Sequence, residues 1–195
     1  MFLHVGLGNP GSEHKLNRHN IGFMAIDHLL HFYQINDNYK KKFNGHYYKL
    51  SNKDRNIFFL KPQTFMNKSG SCIASLIKFF SIKPSSVIVW HDEIDLDKGK
   101  IKVKFGGGHG GHNGLRDIAK HAGKDTVRVR VGVGRPPEGW DTADYVLGKW
   151  TSTEQAEIPH TVDRASDAVE VILRDGLESA MNQFNVRPKA DTPAC

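Results

Sequence analysis

Short apolar runs alternate with amphipathic segments along the whole chain. Six stretches have the continuous or every-second-residue hydrophobicity that is typical of β-strands. They are residues 1–8, 46–51, 56–62, 85–95, 99–105 and 126–134. The stretch at 99–105, GKIKVKF, alternates apolar and basic residues, which predicts a strand with one face in water.

Four other segments carry apolar residues at helical spacing. The first helix is expected to start near Asn20, because the residues after it recur every three or four positions: Ile21, Met24, Ala25, Leu29 and Phe32. Residues 68–82 and 113–123 predict two further helices. The pattern over 153–184 predicts a long helix that is broken or bent at Pro159 and Gly176.

The order of these elements predicts an α/β fold with a mixed β-sheet. Strands and helices interleave, which requires crossovers, whereas the turn-rich 52–56 joins two strands as a hairpin. A length of 195 residues is most simply one domain, expected over 1–186. Residues 187–195 contain two prolines and no apolar period, so a flexible tail is expected there.

Composition excludes several classes of protein. The apolar runs are too short to cross a membrane, and the first residues have no basic region or cleavage site typical of a signal peptide. Cys72 and Cys195 form neither a disulfide framework nor a zinc-ligand spacing, so a cytoplasmic location is expected. The formal net charge of +6 favours a polyanionic partner such as nucleic acid and only weakly disfavours an acidic protein substrate. A basic enzyme with an ordinary solvated surface is the alternative.

Six glycines occur within nine residues directly after the 99–105 strand, in GGGHGGHNG at 106–114. Ordering a glycine costs roughly 0.5–1 kcal/mol more than ordering an alanine in a regular element. Such a segment therefore requires either an unusual backbone shape or a close approach that side chains would block.

Two phosphate-binding motifs and one metal motif are weak alternatives for this chain. No Gly-Lys-Ser/Thr follows the glycines, which excludes a Walker A loop. GLGNPG at 6–11 fits a dinucleotide-binding pattern, but Pro10 lies in its turn and no helix follows at once. His109 and His112 have an H-x-x-H spacing, yet they lie in a loop with no cysteine nearby, which argues against zinc.

Polar side chains, together with one methionine, follow several of the predicted strands. Because ligands of open α/β sheets bind beyond the carboxyl ends of strands, we expect these side chains to share one crevice. They are Asn9, His19, Asn20, Met66, Asn67, Asp92, His109, His112 and Asn113. Each also has an ordinary structural interpretation. A histidine at a helix start caps or lies at the surface, an asparagine there caps, and a methionine fills core. Asp92 is more informative, because a carboxylate at the end of a buried strand needs a partner such as histidine.

Five motifs occur in order between about residue 3 and about residue 184: GLGNPG, RHNIGF, KPQTFMNKSG, HDEIDLDKGKIKVKFGGGHGGHNGLRDI and RVRVGVGRP. Together these motifs resemble the bacterial-type peptidyl-tRNA hydrolases. The resemblance implies a monomer with a single α/β domain, in which helices flank a twisted mixed sheet. It also implies hydrolysis of the ester between a peptide and the 3′ end of tRNA, a reaction that needs no metal or cofactor. Neither membrane association nor an obligate protein partner is expected.

The resemblance assigns roles to matching residues. His19 would be the catalytic base and Asp92 its orienting partner. Substrate and water would be positioned by Asn9, Asn67 and Asn113, with Met66, His112, His14 and Asn20 beside them. Asn67 is the first choice for stabilising a negative oxygen in the transition state, and Asn9 the second. The chain departs from the family at His14, where a tyrosine is usual, and at Asn17, where a threonine is usual.

A basic surface is expected on two strands. Lys104 and Arg130 match positions with which the family clamps tRNA phosphate, at the 5′ end of the acceptor stem near the CCA end. Lys102 and Arg128 share their two-residue period, so all four would form one face, although solvated strand faces are often basic.

Four alternative functions remain open. They are an RNA-binding module without activity, an RNA-binding protein like the splicing-factor relatives of the hydrolase family, a metal-dependent hydrolase and a nucleotide-binding protein. Residues 135–150 are a candidate lid.

Overall fold

A seven-stranded mixed sheet forms the centre of the computed structural model, which describes residues 1–35, 39–51 and 55–185. The strands are β1 Phe2–Gly6, β2 Lys40–Lys42, β3 Gly45–Ser51, β4 Asn56–Pro62, β5 Val87–Glu93, β6 Ile101–Phe105 and β7 Val127–Gly132. Their order across the sheet is β2-β3-β4-β1-β5-β7-β6. The predicted α/β class is confirmed.

Four neighbouring strands of this sheet, β4, β1, β5 and β7, run parallel. Their carboxyl ends therefore lie at one edge of the sheet, where the loops after β1, β4 and β5 begin. The predicted hairpin is also confirmed, because β3 pairs antiparallel with β4. At the other end of the order, β6 pairs antiparallel with β7.

Six α-helices flank the sheet in the described part of the chain. They are α1 Ile21–Phe32, α2 Ser69–Phe80, α3 Asn113–His121, α4 Thr142–Leu147, α5 Ser152–Asp175 and α6 Leu177–Phe184. The predicted break at Gly176 is confirmed, since this residue has φ +89° and separates α5 from α6. The helix does not end at Pro159, which lies inside α5.

The four central strands, β1, β4, β5 and β7, bury both of their faces, because helices cover the sheet on either side. On one face, α1, α5 and α6 pack through a core that includes Ile26, Trp90 and Val169. On the other, α2 and α3 pack through a core that includes Leu60 and Ile73. Burial on both faces explains why the central strands read as nearly continuous apolar runs.

Two elements of the structure were not predicted from the sequence. Strand β2 consists of three exposed lysines, which lack the apolar alternation of a half-buried strand. Helix α4 has only six residues and lies within the candidate lid, 135–150. The predicted tail at 187–195 and most of the hairpin turn at 52–56 lie outside the described residues. Within the described residues, no helix combines the length and the hydrophobicity that crossing a membrane requires.

Candidate active site

A cavity of about 580 Å³ lies at the carboxyl edge of the parallel strands. Eight of the nine residues expected to share a crevice line it together: Asn9, His19, Met66, Asn67, Asp92, His109, His112 and Asn113. Strands β4, β1 and β5 are neighbours in the sheet, so their carboxyl ends lie side by side. Met66 lies in the loop after β4, Asn9 lies in the loop after β1, and Asp92 lies near the end of β5. The expected crevice is therefore present.

His19 and Asp92 form a close pair at the base of the cavity. The Nδ1 atom of His19 lies 2.8 Å from Oδ1 and 2.9 Å from Oδ2 of Asp92. An ionised carboxylate can only accept, so Nδ1 carries the proton and donates it. The lone pair of His19 is then on Nε2, the nitrogen that is not bound to Asp92. In this tautomer His19 can take a proton from a molecule in the cavity.

His112 makes a second hydrogen bond to the same carboxylate. It is the N-cap of α3, and its Nδ1 accepts from the main-chain N–H of Gly114 at 3.1 Å and of Leu115 at 3.4 Å. Nδ1 is therefore unprotonated, so Nε2 carries the hydrogen and donates it to Oδ1 of Asp92 over 3.1 Å. The helix end thus fixes which nitrogen of His112 faces Asp92.

Charge and burial oppose each other in this group. Burial raises the pKa of Asp92, but the two histidines that donate to it outweigh burial and hold that pKa well below its usual range. Burial likewise lowers the pKa of His19, but the charge of Asp92 and its hydrogen bond outweigh it, so the net shift is upward. Asp92 therefore stays ionised, and it stabilises the imidazolium form of His19.

A third histidine lies beside this pair. His91 is buried and donates from Nδ1 to the main-chain oxygen of Asp92 over 2.7 Å. Burial lowers the pKa of His91 to about 3, so its ring stays neutral. Its ring packs edge-on against the ring of His112, with 5.1 Å between the ring centroids. This contact helps to hold His112 in place as a donor to Asp92.

Asn9 is held in one orientation by its neighbours. Its Oδ1 accepts from the main-chain N–H of Met66 at 2.8 Å, which leaves Nδ2 as the end of the amide that faces the cavity. The side chain of Asn20 binds the main chain of Asn9 twice, at 2.9 Å each. Asn20 is buried and is not among the residues that line this cavity, so the structure shows it holding the main chain of Asn9.

The other two asparagines of the cavity are less constrained. Asn67 is exposed at the start of the α2 region, and its side chain has no hydrogen-bond partner within the described residues. Asn113 is exposed at the start of α3, and its Oδ1 accepts from Arg116 at 3.0 Å. His14, predicted to contact substrate, does not line the cavity and instead accepts a hydrogen bond from Asn17 at 3.1 Å.

The glycine segment takes an indirect path to the cavity. Because β6 runs antiparallel to β7, it ends at the edge of the sheet away from Asp92, with Phe105 opposite Val127. Residues 106–112 must therefore return along the sheet to bring His112 to the site. Gly110 and Gly111 have φ of +54° and +82°, and an added Cβ at either would meet nothing within 4 Å. These two glycines are required for backbone shape and not for close approach.

Arg128 holds this returning segment in place. Its guanidinium donates to the main-chain oxygens of Gly107 at 2.9 Å and Gly108 at 2.5 Å. The side chain is buried, so it does not present its charge as the predicted basic face requires. The two-residue period predicted correctly which face of the strand carries Arg128. It could not predict that residues 106–112 cover Arg128 on that face.

The other three basic residues do share an open face. The register pairs Lys102 with Arg130 and Lys104 with Arg128 across β6 and β7, so all four side chains point the same way. Lys104 is exposed, whereas Lys102 and Arg130 are half-buried. The Nε atom of Arg130 donates to Glu93 at 2.9 Å, which leaves its two terminal nitrogens for other partners.

One wall of the cavity lies within the candidate lid, 135–150, where no helix was predicted from the sequence. It is made by α4, through Thr142, Ala143, Val146 and Leu147. This helix follows β7, whose carboxyl end lies at the same edge as those of β1 and β5. The rule that located the other loops would therefore have located α4, had the strand order been known.

Metal binding finds limited support in the geometry of the cavity. His19, Asp92 and His112 offer ligand atoms that lie within 4.8 Å of one another. Those same atoms are joined by hydrogen bonds of 2.8 and 3.1 Å, shorter than the ~3.3 Å that separates ligands around a tetrahedral zinc ion. His109, whose Nδ1 accepts from Gly111 at 3.1 Å, is not part of this cluster.

Comparison with known proteins gives one consistent result. The family model described as peptidyl-tRNA hydrolase matches residues 3–192. The chain is 45% identical over 192 residues to the peptidyl-tRNA hydrolase of Sorangium cellulosum, covering 97% of this chain and 86% of that protein. It is 46% identical over 186 residues to that of Nocardia farcinica, covering 94% and 95%.

Solved structures agree with these matches. The crystal structure of peptidyl-tRNA hydrolase from Acinetobacter baumannii superposes with a TM-score of 0.88 at 39% identity, covering 97% of each chain. A complex of peptidyl-tRNA hydrolase with N-propanol gives the same TM-score at 40% identity, also over 97% of each chain.

Proposed function

This chain belongs to the peptidyl-tRNA hydrolase family, and on that premise we propose that it hydrolyses the ester between a peptide and the 3′ ribose of tRNA with His19 as general base. The observation that carries the proposal is the His19–Asp92 pair at 2.8 Å, at the base of a cavity beside three asparagines. The reaction recycles tRNA from peptidyl-tRNA that has been released too early. The enzyme acts in the cytoplasm as a monomer and needs no metal.

The base activates water. Water is a weak nucleophile at neutral pH, and imidazole has an ordinary pKa of about 6.5, which suits proton abstraction there. Nε2 of His19 takes the proton as the water oxygen attacks the ester carbonyl. Asp92 stabilises the imidazolium that forms, and His19 then returns the proton to the departing ribose oxygen. Because water attacks directly, no serine or cysteine nucleophile is required, and among the described residues that line the cavity none is a serine or a cysteine.

An amide donor stabilises the negative oxygen of the tetrahedral intermediate. Asn67 and Asn9 are the two candidates, and the anchoring of Asn9 by Met66 and Asn20 favours Asn9. A donor that is already oriented costs no reorganisation as charge develops, and loss of one such donor typically lowers the rate about 10²–10³-fold. Asn67, which has no fixed partner, then contacts the substrate or the attacking water.

The neutral lining explains selectivity for peptidyl over free aminoacyl groups. A peptidyl group presents an uncharged amide next to the ester, which the side-chain amides of Asn67 and Asn113 can pair. A free aminoacyl group presents an ammonium there, and desolvating it beside neutral amides is unfavourable. Because only main-chain groups are recognised at this position, the identity of the ester-linked residue should matter little.

The tRNA lies along β6 and β7. Lys104 and Arg130 form a phosphate clamp for the 5′ phosphate of the acceptor stem, and Lys102 adds charge beside them. The two free terminal nitrogens of Arg130 match the fork that a phosphate accepts. The CCA end then enters the cavity past the glycine segment.

The test is hydrolysis of an N-acetylated aminoacyl-tRNA in the presence of EDTA, by the wild type and by His19→Ala. We expect rapid release by the wild type and a loss of about 10³-fold in the variant. No release by the wild type would contradict the proposed activity. Dependence on added zinc would contradict the metal-free mechanism, and full activity of His19→Ala would contradict the choice of base.

A further inference from the structure

The positive charge of the chain is concentrated in one stretch. Between Asp37 and Asp92 the sequence has ten Lys and Arg residues and one acidic residue, Asp54. The whole chain has 27 Lys and Arg against 21 Asp and Glu, so the remainder has 17 against 20 and is slightly acidic. The net charge of +6 therefore arises in this stretch, which includes β2, β3, β4 and α2. The phosphate clamp, on β6 and β7, lies outside it.

Three lysines of this stretch share one face at the edge of the sheet. Lys40 and Lys42 of β2 lie opposite Tyr47 and Gly45 of β3, and Tyr47 belongs to the core that α2 and α3 cover. Lys49 comes two residues after Tyr47, so it points to the same face. All three lysines are exposed, and none forms an ion pair with a described acidic residue.

Aromatic rings lie among these lysines. Phe79, in the last turn of α2, is 56% exposed, and the Nζ atom of Lys42 lies 3.8 Å from the centre of its ring. Phe43, which follows β2, packs on Phe79 with 5.2 Å between the ring centroids. We call the group of Lys40, Lys42, Lys49, Phe43 and Phe79 the basic edge.

The chemistry of the basic edge suits an unpaired RNA strand. Lys40 and Lys42 are two residues apart on one strand, a distance of ~6.8 Å, which is close to the spacing of neighbouring phosphates in an extended nucleic-acid strand. The exposed ring of Phe79 offers a stacking surface to a base that is not already stacked in a duplex. Lysines alone would attract any polyanion, but the ring beside them favours a nucleic acid over an acidic protein.

The basic edge and the phosphate clamp are separate sites on the same face of the sheet. Val129 of β7 belongs to the core beneath α1, α5 and α6, so its neighbour Arg130 points to the other face. On that face, α2 and α3 cover β4, β1 and β5, which lie between the two sites. Four strand spacings separate β3 from β7, a distance of ~19 Å. With the CCA end in the cavity, the unpaired end of the substrate tRNA is not available to the basic edge.

We propose that the basic edge binds an unpaired strand of a second RNA while the active site holds peptidyl-tRNA. The site binds phosphates and the face of a base, so its sequence selectivity is weak. It keeps the enzyme close to RNA other than its substrate. This binding does not require the hydrolytic reaction, so it can be measured whether or not the proposed activity holds.

The test is fluorescence anisotropy of a labelled (CA)₆ RNA, which has no self-complementary sequence. The wild type should bind it at low salt, and the affinity should fall as salt rises. Lys40→Gln/Lys42→Gln should raise Kd about tenfold and reduce the slope of log affinity against log salt by ~1.4, that is ~0.7 for each lost phosphate contact. Glutamine keeps the edge strand polar, so the change removes charge without exposing an apolar edge.

A second variant tests the ring independently. Phe79→Ala changes one exposed side chain and should also raise Kd about tenfold, because it removes a stacking contact. Its salt slope should stay that of the wild type, since a phenyl ring carries no charge. The two variants therefore separate the contribution of phosphate contacts from that of base stacking.

Two control variants locate the binding. Lys100→Gln/Lys149→Gln removes two exposed lysines from outside the charged stretch and should leave Kd within about twofold of the wild type. Lys104→Ala/Arg130→Ala removes the phosphate clamp and should also bind the labelled RNA like the wild type. In the hydrolysis assay, Lys40→Gln/Lys42→Gln should keep KM for N-acetylated aminoacyl-tRNA within about twofold.

Several results would overturn the proposal. The first is a wild type that does not bind the RNA at low salt, and the second is a Kd that neither basic-edge variant changes. Loss of binding in Lys104→Ala/Arg130→Ala would place the RNA on the clamp. A tenfold rise in KM for tRNA in Lys40→Gln/Lys42→Gln would show that the basic edge contacts the substrate itself. Competition by polyglutamate as strong as by unlabelled RNA would identify the partner as an acidic protein.

Discussion

The Nε2 atom of His112 lies 3.1 Å from Oδ1 of Asp92, the oxygen that also accepts from His19 at 2.8 Å. One carboxylate oxygen is thus shared between two imidazole donors. Each donor reduces the negative charge that the other experiences, so the proton affinity of His19 depends on whether His112 is in place.

His112→Asn tests this sharing. Asparagine can still cap α3, but its shorter side chain no longer reaches Asp92. The carboxylate then acts on His19 alone, so the pKa of His19 should rise further above 6.5. We expect the acid limb of kcat/KM to move to higher pH and the maximal rate to fall about tenfold. His121→Asn, on the same helix, should leave the acid limb in place, and an unmoved limb in His112→Asn would contradict the sharing.

Asp92→Asn should move the acid limb in the opposite direction. Without the carboxylate, only burial acts on His19, and burial lowers its pKa. Activity requires neutral His19, so the acid limb should shift to lower pH. The maximal rate should fall about 10²–10⁴-fold, since the tautomer and the imidazolium lose their support. Asp163→Asn removes the partner of His28 in another pair, at 2.7 Å and far from the cavity, and serves as the control.

Lys104→Ala and Arg130→Ala should weaken tRNA binding more than catalysis. We expect KM for peptidyl-tRNA to rise about tenfold in each variant, with kcat within about threefold of the wild type. The slope of log affinity against log salt should decrease by ~0.9 per lost phosphate contact. Lys83→Ala removes an exposed lysine from the opposite end of β5 and should change neither quantity. A fall in kcat at unchanged KM would contradict the phosphate clamp.

Arg128→Lys should behave differently, although Arg128 lies on the same face. Its fork holds the oxygens of Gly107 and Gly108, and a lysine cannot donate to both in that geometry. The segment that carries His112 and Asn113 should loosen, and kcat/KM should fall about tenfold through both kcat and KM. The salt slope should stay that of the wild type. A reduced slope would show that Arg128 contacts phosphate after all.

The contrast between Lys104 and Arg128 shows what the sequence could determine. A two-residue period places both side chains on one face of paired strands, and the register confirms it. Burial depends on what covers that face, here residues 106–112, whose return path follows from the antiparallel placement of β6. Strand order is a tertiary property, so a local pattern carries no signal for it.

The same limit applies to the residues of the cavity. Asn9 and Asp92 could be found because they follow apolar runs at strand ends, where open sheets bind ligands. His19 lies further along the loop after β1, and its role as the base was assigned through the family resemblance. Asn20 was grouped with them by its position beside His19, yet both ends of its amide bind the main chain of Asn9. Which side of the 3₁₀ turn Arg18–Asn20 faces the cavity is set by its packing against β5, α4 and α1, which a local pattern does not show. Helix α4 was not predicted because six residues give too short a helical period.

His4 provides a prediction about stability. It lies fully buried in the core, its ring stacks on Phe59 at 5.2 Å, and neither ring nitrogen has a hydrogen-bond partner within the described residues. Burial lowers its pKa to about 3, from 6.5 in the unfolded chain. Between these values the unfolded chain binds a proton that the folded protein does not, so the free energy of unfolding falls as pH drops below 6.5.

His4→Leu should remove this part of the acid sensitivity. At pH 5 the linked proton costs the wild type about 2 kcal/mol relative to pH 8, a loss that leucine, of similar volume, does not incur. Urea unfolding at pH 8 and pH 5 should therefore show a smaller difference for His4→Leu than for the wild type. His91, with its pKa also lowered to about 3, leaves a residual difference. His160→Leu, at an exposed position, should keep the full wild-type difference. An equal difference in His4→Leu and the wild type would show that His4 does not stay neutral in the folded protein.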